Sequence, residues 1–252
     1  MENKSFLSSE ADKSIIFFSA YLDKLRRISN TFQGILNLIE PESEKKNIID
    51  FDLLIEFNRL NSLIVISHLD LIVAVKGLNN AKHKWEGIYF IKSVYLTIYE
   101  TLNTYKNYQK LLYNSVEKMF PELKEAFTKL NQDIKFFKKK YKYTSQIEEI
   151  RNNISGHINK NFEVYYDTVV SFNVKETVLM SISFFKIIQD IQNFSTLIME
   201  TEKQRIEDNN KRNSISINQV IEKIRKIQKL HPDLDLTEFE IVLNKLKQEN
   251  GC

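Results

Sequence analysis

Apolar residues recur at steps of three and four along most of this chain, which is the spacing of helices that bury one face. Ser9 and Asp12 predict a cap for a first helix that continues to about Ile39. A second helix is predicted over about 51–76, with Gly77 as the residue that closes it in the left-handed conformation. A third, rich in aromatic residues, is predicted over about 83–119.

The same pattern continues through the second half of the chain. Pro121 fits the first turn of a fourth helix that ends near Tyr141. A helix over about 145–160 and a less regular connection over 161–172 are predicted next. Asn173 and Glu176 then predict the cap of a long helix, whose polar stretch 200–213 is either an exposed helix end or a linker. The apolar positions of this helix are Val178, Ile182, Phe185, Ile188, Ile191, Phe194, Leu197 and Ile198.

The final forty residues predict a small helical hairpin. Ser216 and Gln219 cap its first helix, and Asp235 and Glu238 begin its second. Only 5 Gly and 3 Pro occur among 252 residues, which disfavours a β-rich fold with many tight turns. The sequence therefore predicts an all-α fold, an up-and-down bundle of long helices over 1–212 followed by a short C-terminal helical hairpin over 213–252.

Composition limits the class of protein less sharply. Hydrophobic residues make up 42% of the chain, which is typical of a globular protein, and the formal charge of +3 neither requires nor excludes a nucleic-acid partner. The single cysteine, Cys252, allows no disulfide within the chain and fits a reducing cytoplasm. The N-terminus is polar and does not have the pattern of a signal peptide. The most apolar run, 63–75, is too short to span a bilayer and predicts a buried core helix without membrane contact.

Residues 144–157 contain the strongest local pattern in the chain. Ser145 and Glu148 have the spacing of a capping box, which predicts a helix start. Ile147, Ile150 and Ile154 follow at helical spacing and predict one buried stripe.

Three polar residues of the same stretch can act on a phosphodiester. Arg151 is a permanent cation that can hold a phosphate through two parallel hydrogen bonds. His157 can give and take a proton near neutral pH, and Asn152 can hydrogen-bond to either partner. A fixed cation beside a proton carrier is what phosphodiester cleavage needs.

This arrangement resembles the signature of the HEPN superfamily, in which an Arg, usually with a polar residue after it, precedes a His by a few positions. Here five residues separate Arg151 and His157, and the resemblance covers the helical region from about 51 to 197. Asn159 stands where some members carry a Tyr. The resemblance implies a metal-independent endoribonuclease of toxin or phage-defence type, without a cofactor. It also implies a homodimer whose protomers share one cleft, and an antitoxin or another defence-system protein as partner.

Residue roles follow from this resemblance. His157 acts as general acid or base, Arg151 holds the phosphate, and Asn152 positions Arg151 or the RNA. Glu100 is the candidate for the acidic residue that some members place opposite the Arg–His pair. The alternative is structural: Arg151 pairs with Glu148 or Glu149, and His157 caps or packs a helix.

The spacing raises a geometric difficulty. Six steps along an α-helix rotate the side-chain direction by about 240°, so Arg151 and His157 do not share a face of a straight helix. Unwinding at Gly156, or a site completed by a second chain, resolves it.

A basic cluster precedes the motif and is the candidate RNA-binding surface. Its residues are Lys135, Lys138, Lys139, Lys140 and Lys142. Clustered lysines provide most non-specific affinity for nucleic acid, but lysines also complement the dipole of a helix end. The aromatic residues of the third helix also have two interpretations. They pack in the core, or they form a surface on which bases stack.

No pair of His or Cys has metal-ligand spacing, so no metal site is predicted. His68 lies on an apolar helix and is therefore predicted to be a hydrogen-bonded core residue.

Two functions remain open. The first is an endoribonuclease that cleaves RNA without a metal. The second is a non-catalytic helical module that binds RNA, a nucleotide or a partner protein.

Overall fold

The computed structural model describes residues 2–38, 51–155, 161–213, 226 and 228–230. Within these residues all regular secondary structure is helical, and the predicted all-α bundle is confirmed. The helices are α1 (Glu2–Leu38), α2 (Phe51–Asn80), α3 (Lys84–Lys118), α4 (Lys124–Lys140), α5 (Phe162–Val170) and α6 (Val174–Asn213). A 3₁₀ turn, Pro121–Leu123, precedes α4, and two π-helical turns, Tyr143–Glu148 and Arg151–Ser155, follow it. Most of the predicted C-terminal hairpin lies outside the described residues, and its described residues, 213, 226 and 228–230, are helical.

The chain divides into two compact units. The first combines Met1–Leu22 with Leu60–Ser195, and the second takes the described residues of Asp23–Arg59 and Thr196–Cys252. The predicted boundary between 212 and 213 stays a prediction.

The first unit contains every described residue of the candidate site. Its core includes one face of α3, where Ile91, Val94 and Ile98 are buried. Aromatic rings join α4 to α6: Phe137 lies 5.0 Å from Phe184, between ring centroids. The aromatic residues of α3 divide between the two alternatives, since Tyr95 and Tyr105 are buried whereas Trp85 and Tyr89 are exposed.

The second unit has a polar contact inside its core. Asn58, which is buried, donates through Nδ2 to the Leu25 carbonyl at 3.0 Å and to Ser29 Oγ at 2.7 Å. These hydrogen bonds fix α2 against α1 and offset the cost of burying an amide.

Several predicted boundaries were wrong. The predicted cap residues Ser9 and Asp12 lie inside α1, and α2 continues through Gly77 to Asn80. A Cβ on Gly77 would lie 2.2 Å from the ring of Phe90, so close packing, and not a left-handed turn, requires the glycine here. The connection predicted over 161–172 contains α5, which Asn161 caps by accepting a hydrogen bond from the Val164 amide.

Other boundaries were confirmed. α3 begins after His83 and ends at Lys118, within a residue of the prediction. Asn173 accepts a hydrogen bond from the Glu176 amide at the start of α6, as its cap pattern predicted. The polar stretch 200–213 is helical, so it is the end of α6 and not a linker. Two predicted core positions of α6, Ile182 and Leu197, are exposed.

Within the described part of the chain, α2 is the one helix long and apolar enough to cross a membrane, over Leu53–Asn80 with a mean hydropathy of 1.5. This span is longer than the apolar run 63–75 noted in the sequence. Length and composition alone do not distinguish such a span from the core helix of a soluble protein. Ile64, Val65 and Leu71 are buried as predicted, whereas Ile66 and Val73 are exposed.

Candidate functional site

The site lies where α3 packs against the two π-helical turns that follow α4. These turns, with the two residues between them, form the motif segment, residues 143–155. Ile147, Ile150 and Ile154 are all buried, as the apolar stripe predicted, and they fix the segment to the first unit. Their burial leaves Arg151 and Asn152 on the side of the segment that is at least partly open to solvent.

The start of the motif segment differs from its prediction. Ser145 lies inside the first π-helical turn and does not cap a helix. The chain instead reverses at Lys142, which has a left-handed backbone with φ 47° and ψ 53°. The Tyr141 amide donates to the Phe137 carbonyl at 3.0 Å and closes α4 before this reversal.

Arg151 is held by two polar partners and one aromatic ring. Its Nε and Nη2 donate to Glu100 Oε1 on α3, at 3.4 and 3.2 Å. Its Nη1 donates to Asn152 Oδ1 at 3.2 Å. The guanidinium also lies over the ring of Tyr99, 4.9 Å from its centroid. The side chain is 31% exposed, so solvent reaches a cation whose orientation is fixed on three sides.

Glu100 and Asn152 therefore both contact Arg151. The ion pair that Arg151 forms is with Glu100 on another helix, whereas the structural alternative placed it with Glu148 or Glu149. The pair lies at the surface, with Glu100 48% exposed, so its contribution to the free energy of unfolding is about 0–1 kcal/mol.

Two further aromatic contacts extend the site from Arg151 towards α4. The rings of Tyr99 and Tyr143 are stacked, with centroids 6.1 Å apart and an angle of 3° between planes. Lys138 Nζ lies over the ring of Tyr143, 4.8 Å from its centroid. We name these four side chains, Arg151, Tyr99, Tyr143 and Lys138, the cation–aromatic row. The sequence suggested an aromatic surface on α3 but did not indicate Tyr143, whose position depends on the reversal at Lys142.

The surroundings of the row alter the pKa of two of its members. Burial raises the pKa of Tyr143 to about 12, and the neighbouring Tyr99, Glu148 and Glu100 act in the same direction. Burial lowers the pKa of Lys138, as does the positive charge of Lys106, while Glu148 opposes the shift. At neutral pH the Tyr143 phenol is therefore uncharged.

The remaining lysines of the predicted basic cluster lie at the end of α4 or just after it. Lys135, Lys139, Lys140 and Lys142 are exposed, and Lys138 is partly buried. Lys140 Nζ lies over the ring of Tyr141, 5.0 Å from its centroid. The predicted phosphate-binding surface is therefore solvent-accessible and continuous in sequence with the motif segment.

His157 and Gly156 lie outside the described residues, as does Asn159. The position of His157 relative to Arg151 therefore stays a prediction. The rotation calculated for an α-helix does not apply to Arg151–Ser155, because this turn is π-helical. π-Helical turns occur frequently at functional sites, where they change which side chains share a face.

A small polar pocket is lined in part by the motif segment, and no sequence pattern indicated it. Its volume is about 180 Å³, and Tyr95, Gln146, Glu149, Phe172 and Glu176 are among its lining residues. Tyr95 stacks on Phe172 with ring centroids 5.9 Å apart, and Gln146 Nε2 donates to the Tyr95 hydroxyl at 3.4 Å. Burial, followed by the charge of Glu176, raises the pKa of Tyr95.

The residues of the described ranges contain no group of three or more His, Cys, Asp or Glu side chains arranged to hold a metal ion. Comparison with family models, with curated proteins and with solved structures finds no match for this chain. The resemblance to the HEPN superfamily therefore stays a prediction from the motif.

Proposed function

We propose that this protein is a metal-independent endoribonuclease whose site is centred on Arg151. In this proposal a ribose 2′-hydroxyl attacks the adjacent phosphate, the bond to the 5′-oxygen breaks, and a 2′,3′-cyclic phosphate is left. His157 removes the hydroxyl proton or protonates the leaving oxygen, which commonly contributes about 10²–10⁴-fold to the rate. Arg151 stabilises the charge that develops on the phosphate.

The observation that carries this proposal is the environment of Arg151. A solvent-accessible guanidinium whose Nε, Nη1 and Nη2 all donate to neighbouring side chains is oriented before any RNA binds. Such preorganisation is what makes a cation effective towards charge developing in a transition state. Glu100 and Asn152 act here as positioning residues for Arg151.

RNA is the substrate that this surface suits best. The exposed lysines at the end of α4 can contact phosphates, and the aromatic members of the row can contact bases. The proposal includes a homodimer that completes the cleft, a cytoplasmic location, and a toxin or antiphage-defence role with an antitoxin or another defence protein as partner. It includes no metal and no cofactor.

The decisive experiment measures cleavage of end-labelled tRNA and mRNA in excess EDTA. We expect His157→Ala to lower the rate by about 10²–10⁴-fold and Arg151→Ala by about 10²–10³-fold. Arg59→Ala is the matched control, because Arg59 is also partly exposed and ion-paired, to Glu56, but lies in the other unit. The products should carry 2′,3′-cyclic phosphate ends. Equal cleavage by all four proteins would show a contaminating nuclease and end the proposal.

The second candidate is a non-catalytic module that binds single-stranded RNA. The cation–aromatic row supports it independently, because its partly exposed tyrosines and its cations can contact RNA without any need for His157. RNA binding that Tyr143→Ala weakens, together with no cleavage by the wild-type chain in any buffer, would favour this candidate over the nuclease.

A further inference from the structure

A larger cavity lies in the first unit, between α1, α2 and α6, and the proposed nuclease chemistry does not use it. Its volume is about 490 Å³, which falls within the range of small-molecule sites. We name it the interhelical cavity, and its lining residues are Ser14, Phe18, His68, Ile72, Phe185, Gln189, Gln192 and Asn193. The lining residues of α1 and of α2 lie four positions apart, and on α6 Gln192 and Asn193 lie three and four positions after Gln189, so each helix presents one face to the cavity.

The lining combines aromatic rings with uncharged polar groups. Gln189, Gln192 and Asn193 provide three amides from α6, of which Gln192 is partly buried and the other two are exposed. None of the eight lining residues is Asp, Glu, Lys or Arg. A ligand that matches this lining carries hydrogen-bonding groups but no phosphate or other ionised group.

His68 is held in one place by the two phenylalanines. Its ring centroid lies 3.9 Å from that of Phe18 and 5.1 Å from that of Phe185. Burial lowers the pKa of His68 to about 4, so the imidazole is uncharged at neutral pH. A neutral imidazole has one nitrogen that donates and one that accepts a hydrogen bond.

Two polar atoms of the lining residues lack a partner within the described part of the chain. His68 Nδ1 and Gln192 Nε2 are buried and form no hydrogen bond there, so the prediction of a hydrogen-bonded core histidine was wrong. A buried polar atom without a hydrogen bond lowers the stability of the fold. Both atoms are buried away from solvent, so a ligand in the cavity would contact the other polar atoms of the lining side chains.

We infer that the interhelical cavity binds an uncharged heteroaromatic ring of the nucleobase class, as a free base or nucleoside. Amide side chains pair with adjacent donor and acceptor groups on the edge of such a ring, as Asn and Gln do with adenine. The phenylalanine rings pack against its faces. Because no lysine or arginine lines the cavity, the phosphate of a nucleotide gains nothing there. This site is separate from Arg151 and does not depend on the proposed nuclease activity.

Calorimetry and saturation-transfer NMR on the full chain test this inference, with adenosine, guanosine, cytidine and uridine as probes. We expect saturable binding of at least one nucleoside, with an affinity that changes little with salt because no ion pair forms. The 5′-monophosphate of that nucleoside should bind no more tightly than the nucleoside itself. A single-stranded RNA oligonucleotide serves as the other arm, since a base presented by RNA has the same chemistry.

Two variants and one control locate the binding. Gln192→Met and His68→Phe each remove a hydrogen-bonding group at similar volume, and each should weaken nucleoside binding by about tenfold or more. Both should keep or raise the melting temperature of the free protein, because an unpaired buried atom is lost. Gln33→Met, at an exposed position of α1, is the control and should change neither nucleoside binding nor the melting temperature. The inference is overturned if no nucleoside binds at millimolar concentration, if only the oligonucleotide binds, or if both variants bind as the wild type does.

Discussion

Arg151 and Glu100 lie 51 positions apart in the chain and are joined by an ion pair of 3.2 Å between Nη2 and Oε1. α3 supplies the carboxylate and the π-helical turn supplies the cation, so the pair connects the two elements that form the site. Their partial exposure keeps the pair from being a large source of stability. We therefore assign it an orienting role, which can be tested separately from folding.

Glu100→Gln should separate orientation from charge at the proposed site. Loss of the carboxylate frees the guanidinium, so we expect cleavage about tenfold slower, with RNA bound a few-fold more tightly because one negative charge is gone. The free energy of unfolding should change by less than about 1 kcal/mol. Single-turnover cleavage and RNA titration measure the two effects. Glu56→Gln removes a carboxylate paired with Arg59 and is the control. Unchanged cleavage by Glu100→Gln would remove Glu100 from the site.

Gly77→Ala should destabilise the first unit. The added methyl group would lie 2.2–2.6 Å from three ring carbons of Phe90, so the ring must move, at a cost of about 1–3 kcal/mol. Phe90→Ala in the same chain should recover much of this loss, which denaturant unfolding of the double-mutant cycle would measure. Gly87→Ala is the matched control, because its new Cβ would lie 4.0 Å from the nearest atom, Leu78 Cδ1. That variant should gain up to about 1 kcal/mol from helix propensity. Equal effects at the two glycines would contradict the packing account.

Lys142→Gly should uncouple stability from RNA affinity. The left-handed backbone at Lys142 is unfavourable for any residue with a Cβ, so glycine should stabilise the fold by up to about 1 kcal/mol. The same change removes one cation and should weaken RNA binding and its salt dependence. Lys135→Gly removes an equal charge from an exposed position inside α4, where glycine costs about 1 kcal/mol. Thermal unfolding and RNA titration distinguish the two variants. If both variants are less stable than the wild type, Lys142 does not have a left-handed backbone.

The stability of the protein should fall in mild acid partly because of His68. Its pKa is about 4 in the folded chain and 6.5 in an ordinary environment, so the unfolded state binds a proton that the folded state does not. Stability from this group is complete above about pH 6.5 and is lost as the pH falls towards 4. His68→Phe should therefore show a smaller drop in melting temperature between pH 7 and pH 4.5 than the wild type. Burial raises the pKa values of Asp70 and Asp190. Both residues are present in the two proteins, so their contributions to the drop in melting temperature cancel. Parallel melting curves would contradict this account.

Local patterns predicted those features that depend on neighbouring residues. The spacing of Ile147, Ile150 and Ile154 predicted their burial, and Asn173 predicted its own cap on α6. Glycine at position 77 predicted an end of α2, which was wrong, because its small size serves a contact with α3 and not a turn. Residue type alone does not distinguish these two uses of glycine.

The periodic pattern and the scarcity of Gly and Pro determined that this protein is helical, because burial of one face at helical spacing is a property of the sequence itself. The motif also determined which residues are candidates for the chemistry. Only the tertiary structure decided that Glu100 pairs with Arg151, that Tyr143 stacks on Tyr99, and that amides of α6 face a cavity beside His68. Each of these contacts joins separate helices, and its geometry depends on how their faces pack, which spacing within one helix does not specify.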